Sequence, residues 1–395
     1  MRIAVAFDCF FPITTGGGER QYRAFAETFG AAGHGVDYLT RRQWDGESPQ
    51  VDGVDVVAVC GPSELYDGEG NRRPLTAVRY AVALFSHLVR HRGRYDAVLV
   101  SALPVLNVFA ARAALLGSRT RLCSDFLEVW RPEQWVEYSG PVVGRVAAFL
   151  QRWAVRVSPE TSCHSQMNGR RLLAEGARTA PIVSPGLIYR TDSATSASTA
   201  SEPPVVVFVG RHIPDKRVEA IPAALAWART RLPDLRAVIL GDGQQRQAVT
   251  DEVRRLGLAD VVDLPGFVPQ SELDAALAQA ACLVNPSRRE GYGLVVVESC
   301  AFGTPVVLVD APDNASVELV EQGVNGFVAA STEPAVLGAA IVAAVEGGPE
   351  LRRRARAWFE RASVEKTAER AALQILDRLS GGGPRAGAVA GRTGA

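Results

Sequence analysis

Short apolar runs alternate with longer amphipathic ones from the first residues of the chain. Arg2–Phe7 reads as a strand, and behind it Arg20–Gly33 places Tyr22, Phe25, Ala26 and Phe29 at helical spacing. Strands follow at Val36–Leu39 and Val54–Val59, a helix at Leu75–Arg92 and a strand at Ala97–Ser101. Shorter strands fall at Leu122–Cys123, Thr161–His164 and Ile182–Val183. Strands that are apolar along their whole length, with helices between them, predict a parallel sheet covered on both faces.

The alternation lapses over Thr191–Pro204, which is small, polar and closed by two prolines, the composition of a linker. It restarts with strands at Val205–Val209, Arg236–Leu240, Val261–Leu264, Cys282–Asn285 and Val306–Val309. The helices between them are Val218–Arg231, Gln244–Leu256, Ser271–Ala280 and Gly293–Phe302. The pattern predicts two doubly wound α/β domains, 1–190 and 205–362, with a linker over 191–204. Glu350–Leu379 reads as one long helical stretch broken near Ser363, giving a C-terminal helix over 363–379. The Gly/Ala/Arg-rich residues 380–395 read as a disordered tail. Ligands of open α/β sheets sit beyond the carboxyl ends of the strands, so a cleft between two such ends is expected, with its chemistry in the strand-to-helix loops.

Composition narrows the function. The 395 residues carry 43 basic and 43 acidic side chains, and the two predicted halves differ only slightly in sign, which excludes a general polyanion binder and so a nucleic-acid partner. Only two of the cations are lysines, Lys216 and Lys366. The six cysteines are scattered without metal or redox spacing and read as reduced, mostly buried side chains. The N-terminus enters a strand without an apolar signal segment. The longest apolar run, Ala102–Leu116, is broken by Pro104, Asn107 and Arg112, so a cytoplasmic protein is expected.

Four loops carry candidate chemistry. Thr14–Glu19 holds Gly16, Gly17 and Gly18 before a helix, where backbone amides can approach an anion, so that Gly17 and Gly18 are donor-binding candidates, although plain turn chemistry explains the loop as well. Phe208–Arg217 follows the first strand of the second half. There Gly210 ends the strand, and Arg211 and Lys216 form a cation pair suited to a diphosphate. Gly241-Asp-Gly243 permits close approach of a base or sugar, or simply makes a turn. Asn285–Ser299 places Glu290 in a loop, with Gly291 and Gly293 exposing amides at a helix start that favours phosphate. Glu298 lies on the otherwise apolar helix that follows, about two turns in, where it could face ribose hydroxyls.

Glu290 and Glu298, spaced Glu–x7–Glu around Glu-Gly-Tyr-Gly-Leu, resemble the signature of the GT4 family of retaining glycosyltransferases. So do Val209-Gly-Arg…Lys216, Leu240-Gly-Asp-Gly243, Gly266-Phe-Val268, Ala301-x-Gly-Thr-Pro305 and Gly323-Val-Asn-Gly-Phe327, in that order. The resemblance implies the GT-B fold: two Rossmann-like domains, the N-terminal one for the acceptor and the C-terminal one for a nucleoside diphosphate sugar, with the last helix crossing back to the first domain. It implies that Arg211 and Lys216 hold the diphosphate, Glu290 the donor sugar and Glu298 the ribose. The amides of Tyr292, Gly293 and Leu294 would meet phosphate, and Phe267 and Val268 would border the base. No metal and no separate cofactor is implied.

The stretch Cys123–Trp130 offers Asp125 but lacks the histidine that many relatives place beside it. Asp125, as a catalytic candidate, and His164 and Glu19 are therefore assigned to the acceptor side. The other histidines, His34, His87, His91 and His212, read as surface or helix-end residues, with contact to a ligand left open for His212 alone, beside Arg211. Gly140–Arg156 combines Phe149, Leu150 and Trp153 with Arg145, Arg152 and Arg156. A helix packed on its own sheet is the favoured reading there, and contact with a membrane or an acidic acceptor is the other. The expected activity is sugar transfer to a hydroxyl of a small-molecule, glycan or lipid-linked acceptor. The alternatives are a nucleotide-sugar epimerase or hydrolase on the same fold, or a non-catalytic nucleotide-sugar-binding protein.

Overall fold

The computed structural model describes residues 1–14, 16–65, 73–184, 186–188 and 199–381. The chain forms two compact units, Met1–Tyr189 with Lys366–Ala395, and Arg190–Glu365. Most of the expected linker, residues 191–198, and the tail from 382 onward lie outside the described residues.

The first unit is built on seven parallel strands: β1 (Arg2–Ala6), β2 (Gly35–Arg41), β3 (Val54–Cys60), β4 (Ala97–Ser101), β5 (Arg121–Phe126), β6 (Glu160–Cys163) and β7 (Ile182–Val183). Their order across the sheet is β3-β2-β1-β4-β5-β6-β7. The helices are α1 (Gly17–Ala31), α2 (Pro74–Arg90), α3 (Leu106–Ala114), α4 (Pro132–Ser139), α5 (Pro141–Val157) and α6 (Gln166–Glu175). Tyr80, Leu84 and Leu88 of α2, Val108 and Ala111 of α3, and Ala154 and Val155 of α5 share one core with the sheet.

The second unit repeats the plan with β8 (Val205–Val209), β9 (Arg236–Leu240), β10 (Val262–Gly266), β11 (Cys282–Asn285), β13 (Val306–Val309) and β15 (Gly326–Ala329). Their order is β10-β9-β8-β11-β13-β15. A short parallel ladder of β12 (Arg289–Glu290) and β14 (Asp313–Asn314) stands beside this sheet. Its helices are α7 (Ile221–Arg229), α8 (Arg246–Arg255), α9 (Gln270–Gln279), α10 (Leu294–Ala301), α11 (Pro334–Glu346) and α12 (Gly348–Glu365). In both sheets the order reverses beside the first strand of the unit, between β1 and β4 and between β8 and β11. That reversal leaves a crevice at the strand ends because the flanking connections depart to opposite faces.

The C-terminal stretch departs from expectation in one detail. The break falls at Lys366–Thr367, not near Ser363, and separates α12 from α13 (Ala368–Ser380). Thr367 is the reason: its side chain accepts from the Arg370 amide at 3.1 Å and starts a new helix. Ser380 ends α13 and Gly381 is its left-handed cap, so the expected tail begins later than 380. Helix α13 belongs to the first unit, where Ala372, Ile375 and Leu379 are buried and α1 packs alongside. Arg378 pairs with Glu160 at 2.6 Å. No single helix among the described residues is long and apolar enough to cross a membrane. All six cysteines are free, and only Cys60 is not buried.

Thr367→Ala should destabilise the first unit by about 1 kcal/mol, whereas Thr367→Ser should be near neutral, read from urea unfolding midpoints. Equal midpoints for all three proteins would remove the cap from the account of the break.

Candidate functional site

Three strand-end loops of the second unit are laced together by backbone. The Gly210 amide donates to the Leu240 carbonyl, the Gly241 amide to Gly266, and the His212 amide to Asp242, at 3.2, 2.8 and 2.8 Å. Gly241 has a φ of +109°, and a Cβ there would overlap the Gly210 carbonyl oxygen, so this approach demands glycine. His212 is not at the surface as expected. It is fully buried beside Phe208, and both ring nitrogens lack a partner among the described residues. Burial accordingly pushes its pKa down.

At the reversal, the loop after β8 meets the loop after β11. Lys216 closes a 3-10 turn, Pro214–Lys216, and its ammonium donates to Oε1 of Glu290. The same oxygen accepts from Asn285 Nδ2 at 3.2 Å and Ser287 Oγ at 3.0 Å. The Glu290 side chain is 13% exposed and that of Lys216 21%. Burial alone would raise the Glu290 carboxyl, but the Lys216 charge and the hydrogen bonds from Lys216, Asn285 and Ser287 hold it below the ordinary carboxylate range. Oε2 accepts no hydrogen bond among the described residues, so one oxygen is fixed and the other is free to take a ligand hydroxyl.

The two loops are held in register by Asp215, which accepts from the Arg288 guanidinium at 3.0 Å and pairs with Arg289. Arg217, a non-glycine residue at φ +48°, donates to the Pro286 carbonyl at 2.8 Å. Asn314 of β14 donates to the Ser287 and Val309 carbonyls at 3.1 and 2.9 Å, fixing the far side of the loop. Sequence reasoning passed over Asp215, Arg217, Asn285, Ser287 and Asn314. Their only sequence signal was polarity at the end of an apolar strand.

Helix α10 starts at Leu294, with Gly293 as its N-cap at φ +103° and no side-chain cap. A Cβ on Gly293 would overlap Ser316, so glycine is required there too. Gly291, Tyr292 and Leu294 are half-buried around this turn. Because the helix begins at Leu294, Glu298 sits one turn in, not two, and it is half-buried instead of enclosed by apolar neighbours. Arg211 is exposed and has no ion-pair partner among the described residues. Phe267 is 73% exposed, directly after β10, with Val268 half-buried beside it.

The first unit carries its own polar cluster at the ends of β5 and β6. Asp125 is fully buried and accepts from Tyr22 OH at 2.7 Å, Ser162 Oγ at 2.6 Å and Gln21 Nε2 at 3.0 Å. His164 Nε2 lies 3.1 Å from the same carboxylate and 2.7 Å from Gln21 Nε2. Burial would raise the Asp125 carboxyl, yet the His164 ring and hydrogen bonds from His164, Ser162 and Tyr22 keep it low. A histidine partner for Asp125 therefore exists, supplied by the neighbouring strand. Both groups are enclosed, however, so neither the catalytic assignment of Asp125 nor the acceptor-side assignment of His164 fits an open group. The residues that enclose them, Gln21 and Tyr22, lie on α1. Gly17 and Gly18 are also not in a loop but form the first turn of α1, with Glu19 half-buried and folded against Gly16.

Comparison with known proteins covers both units. A family model described as glycosyl transferases group 1 matches residues 190–358, and a glycosyl transferase 4-like domain matches residues 16–186. Glycogen synthase of Mycobacterium tuberculosis is 27% identical over 91% of this chain and 90% of its own length. D-inositol 3-phosphate glycosyltransferase of Segniliparus rotundus is 31% identical over 45% of this chain and 41% of its own. Among solved structures, sucrose-phosphate synthase of Thermosynechococcus elongatus superposes with a TM-score of 0.71 at 17% identity, covering 96% of this chain and 98% of that one. HepE of Anabaena, solved with UDP, gives 0.69 at 19% identity, covering 96% and 100%.

The depressed Glu290 carboxyl has a pH signature. Its stabilising contribution is present above the unfolded value of 4.5 and is lost as pH falls through the lower folded value. Glu290→Gln should therefore flatten the dependence of unfolding midpoint on pH below about 5, measured in urea titrations; an unchanged slope would disprove the coupling. Two domain models matching in order, a shared architecture along nearly the whole length, and the glutamate and lysine joined at the sheet reversal lead to one statement: the chain belongs to the GT4 family of GT-B glycosyltransferases, enzymes that transfer a sugar from a nucleotide-sugar donor.

Proposed function

We propose that the second unit holds a nucleoside diphosphate sugar and that transfer retains the anomeric configuration. The observation that carries this reading is the Lys216–Glu290 pair at the sheet reversal. An ammonium has three donors, and Glu290 takes one, which leaves two for diphosphate oxygens. Arg211, exposed at the end of β8, supplies the second cation, and the uncapped start of α10 directs the amides of Tyr292, Gly293 and Leu294 at phosphate. The free oxygen of Glu290 accepts from a hydroxyl of the donor sugar, and Glu298 from the ribose. Phe267 and Val268 border the base. Gly210 and Gly241, lacking side chains, let the ligand approach the strand ends.

In this reading the bond from the anomeric carbon to the diphosphate breaks, and the leaving nucleoside diphosphate takes the electron pair. A hydroxyl oxygen of the acceptor forms the new bond to that carbon, and its proton passes to the departing diphosphate. Arg211 and Lys216 stabilise the charge that develops on the leaving group, the largest contribution expected at such a site. The family resemblance supports a reaction independent of metal. The first unit receives the acceptor, with Glu19 in the first turn of α1 on that side, and Gly17 and Gly18 beside it stay assigned to the donor. Asp125 and His164 act from beneath as positioning residues. HepE was solved with UDP, which makes UDP-sugars the first donors to try. A cytoplasmic location agrees with a nucleotide-sugar donor.

A mass-spectrometric screen of nucleotide sugars, scored for released nucleotide with and without candidate acceptors, tests the proposal. Glu290→Ala and Lys216→Ala should each lower turnover at least ~100-fold while the protein remains folded by circular dichroism. Wild-type-like turnover in either variant would refute the site assignment, and donor consumption independent of any acceptor would refute transfer as the reaction.

A further inference from the structure

The outer faces of α2 and α5 are apolar where a surface helix is ordinarily polar. On α2, Leu75, Val78, Val82, Phe85 and Val89 are exposed, Leu75 at 78%. Their spacing of three and four residues puts them on one stripe, opposite the buried Tyr80, Leu84 and Leu88. On α5, Val142, Val143, Val146, Phe149 and Trp153 are exposed, Val142 at 72% and Phe149 at 59%, while Gly144, Gln151, Ala154 and Val155 face inward. The sequence reading that packs Phe149 and Trp153 on their own sheet is thus reversed: Ala154 and Val155 of α5 join the core of the sheet, Gly144 meets α4, and the large residues meet solvent. Ten of the twenty exposed large apolar side chains among the described residues lie on these two helices.

The charges on α2, α3 and α5 themselves have one sign, and the acids beside them are Glu133 and Glu137 of α4, which packs on α5, and Glu175 of α6. Helix α3 packs against both α2 and α5, and the three helices together contain no Asp or Glu. Arg79 and Arg90 run along one side of the α2 stripe, and Arg145, Arg152 and Arg156 along one side of the α5 stripe, at helical spacings of seven and four. All five are exposed. Arg152 is paired with Glu175 of α6 at 2.9 Å, and Arg156 donates to the Glu175 carbonyl. Arg79, Arg90 and Arg145 have no ion-pair partner among the described residues. The layer differs from the opposite side of the unit, where α1 carries Glu19 and Glu27, and α13 carries Glu369 and Asp377.

We propose that the α2–α5 face docks on an anionic phospholipid bilayer. Apolar stripes flanked by arginine, on helices that carry no acid of their own, match the boundary between acyl chains and phosphate headgroups, with the arginine stems reaching back to the headgroup level. A second copy of the chain is the poorer occupant, because a two-fold contact through this face would bring Arg79, Arg90 and Arg145, which have no ion-pair partner among the described residues, against their own copies. Docking is independent of the donor site, which lies wholly in the second unit.

The test is flotation of the full chain with mixed phosphatidylglycerol–phosphatidylcholine vesicles and with pure phosphatidylcholine vesicles, at low and high salt. Binding to the anionic vesicles, weakened by salt, is expected. The triple variant Arg79→Gln, Arg90→Gln, Arg145→Gln should lose at least ~10-fold in vesicle affinity, as should Phe149→Ser with Trp153→Ser. Both variants should keep their thermal shift with UDP, which reports an intact second unit. Equal binding to neutral vesicles, or none to either, would overturn the proposal, and the salt response of the unaltered protein decides it even if a variant fails to fold. A dimer in light scattering that is abolished by the Phe149–Trp153 substitution would assign the face to a second copy and would equally overturn it.

Discussion

A single carboxylate oxygen organises the second unit. Oε1 of Glu290 takes an ammonium from one side of the sheet reversal and an amide and a hydroxyl from the other. Such a pair, mostly withdrawn from water, is costly to break because either partner left alone would be a buried uncompensated charge. Its geometry therefore fixes the relative position of the β8 and β11 loops. Asp215, gripped by two arginines, and Arg217, reaching the Pro286 carbonyl, repeat the same stitch a few residues away. The loops that carry Lys216 and Glu290 are thus fixed by their own contacts.

The first unit solves a related problem by burial. Asp125 has no lysine or arginine partner among the described residues; it is surrounded by hydroxyl, amide and imidazole donors. Four partners, two from α1 and two from the end of β6, converge on one carboxylate, which ties α1 to the ends of β5 and β6. The cluster sets the direction in which α1 begins, and with it the place of Glu19 and the glycines of its first turn.

Much of this architecture was legible in the pattern of residues. The strands Ala97–Ser101, Val205–Val209, Arg236–Leu240, Cys282–Asn285 and Val306–Val309 were readable to the residue, because short valine-containing apolar runs recur there in alternation with helical segments. The helix Pro334–Glu346 was not seen: its alanines and valines surround it on all sides, leaving no amphipathic period to detect. The Glu290 and Lys216 assignments rested on position after a strand, and that logic placed them together. What sequence did not convey were contacts between distant polar residues. Asp125 and His164 lie 39 positions apart, and only the β5–β6 register makes them neighbours. The orientation of α5 was misread for a different reason: composition identifies an amphipathic helix but does not say which face turns inward, and Gly144 decides that by its close approach to the Trp135 backbone.

The placement of α13 has a consequence for synthesis. The first unit consists of Met1–Tyr189 and the residues from Lys366 onward, so the second is inserted within it along the chain. A ribosome releases every residue of Arg190–Glu365 before Ile375 and Leu379 are available to cover α1 and β5. The domain that starts first is completed last. During translation the nascent chain carries an open apolar seam on one side of the N-terminal sheet, while the continuous second unit can already close its own core. The final turns of the helix therefore act as a late fastener, and chaperone demand for this protein is concentrated in the interval before they emerge.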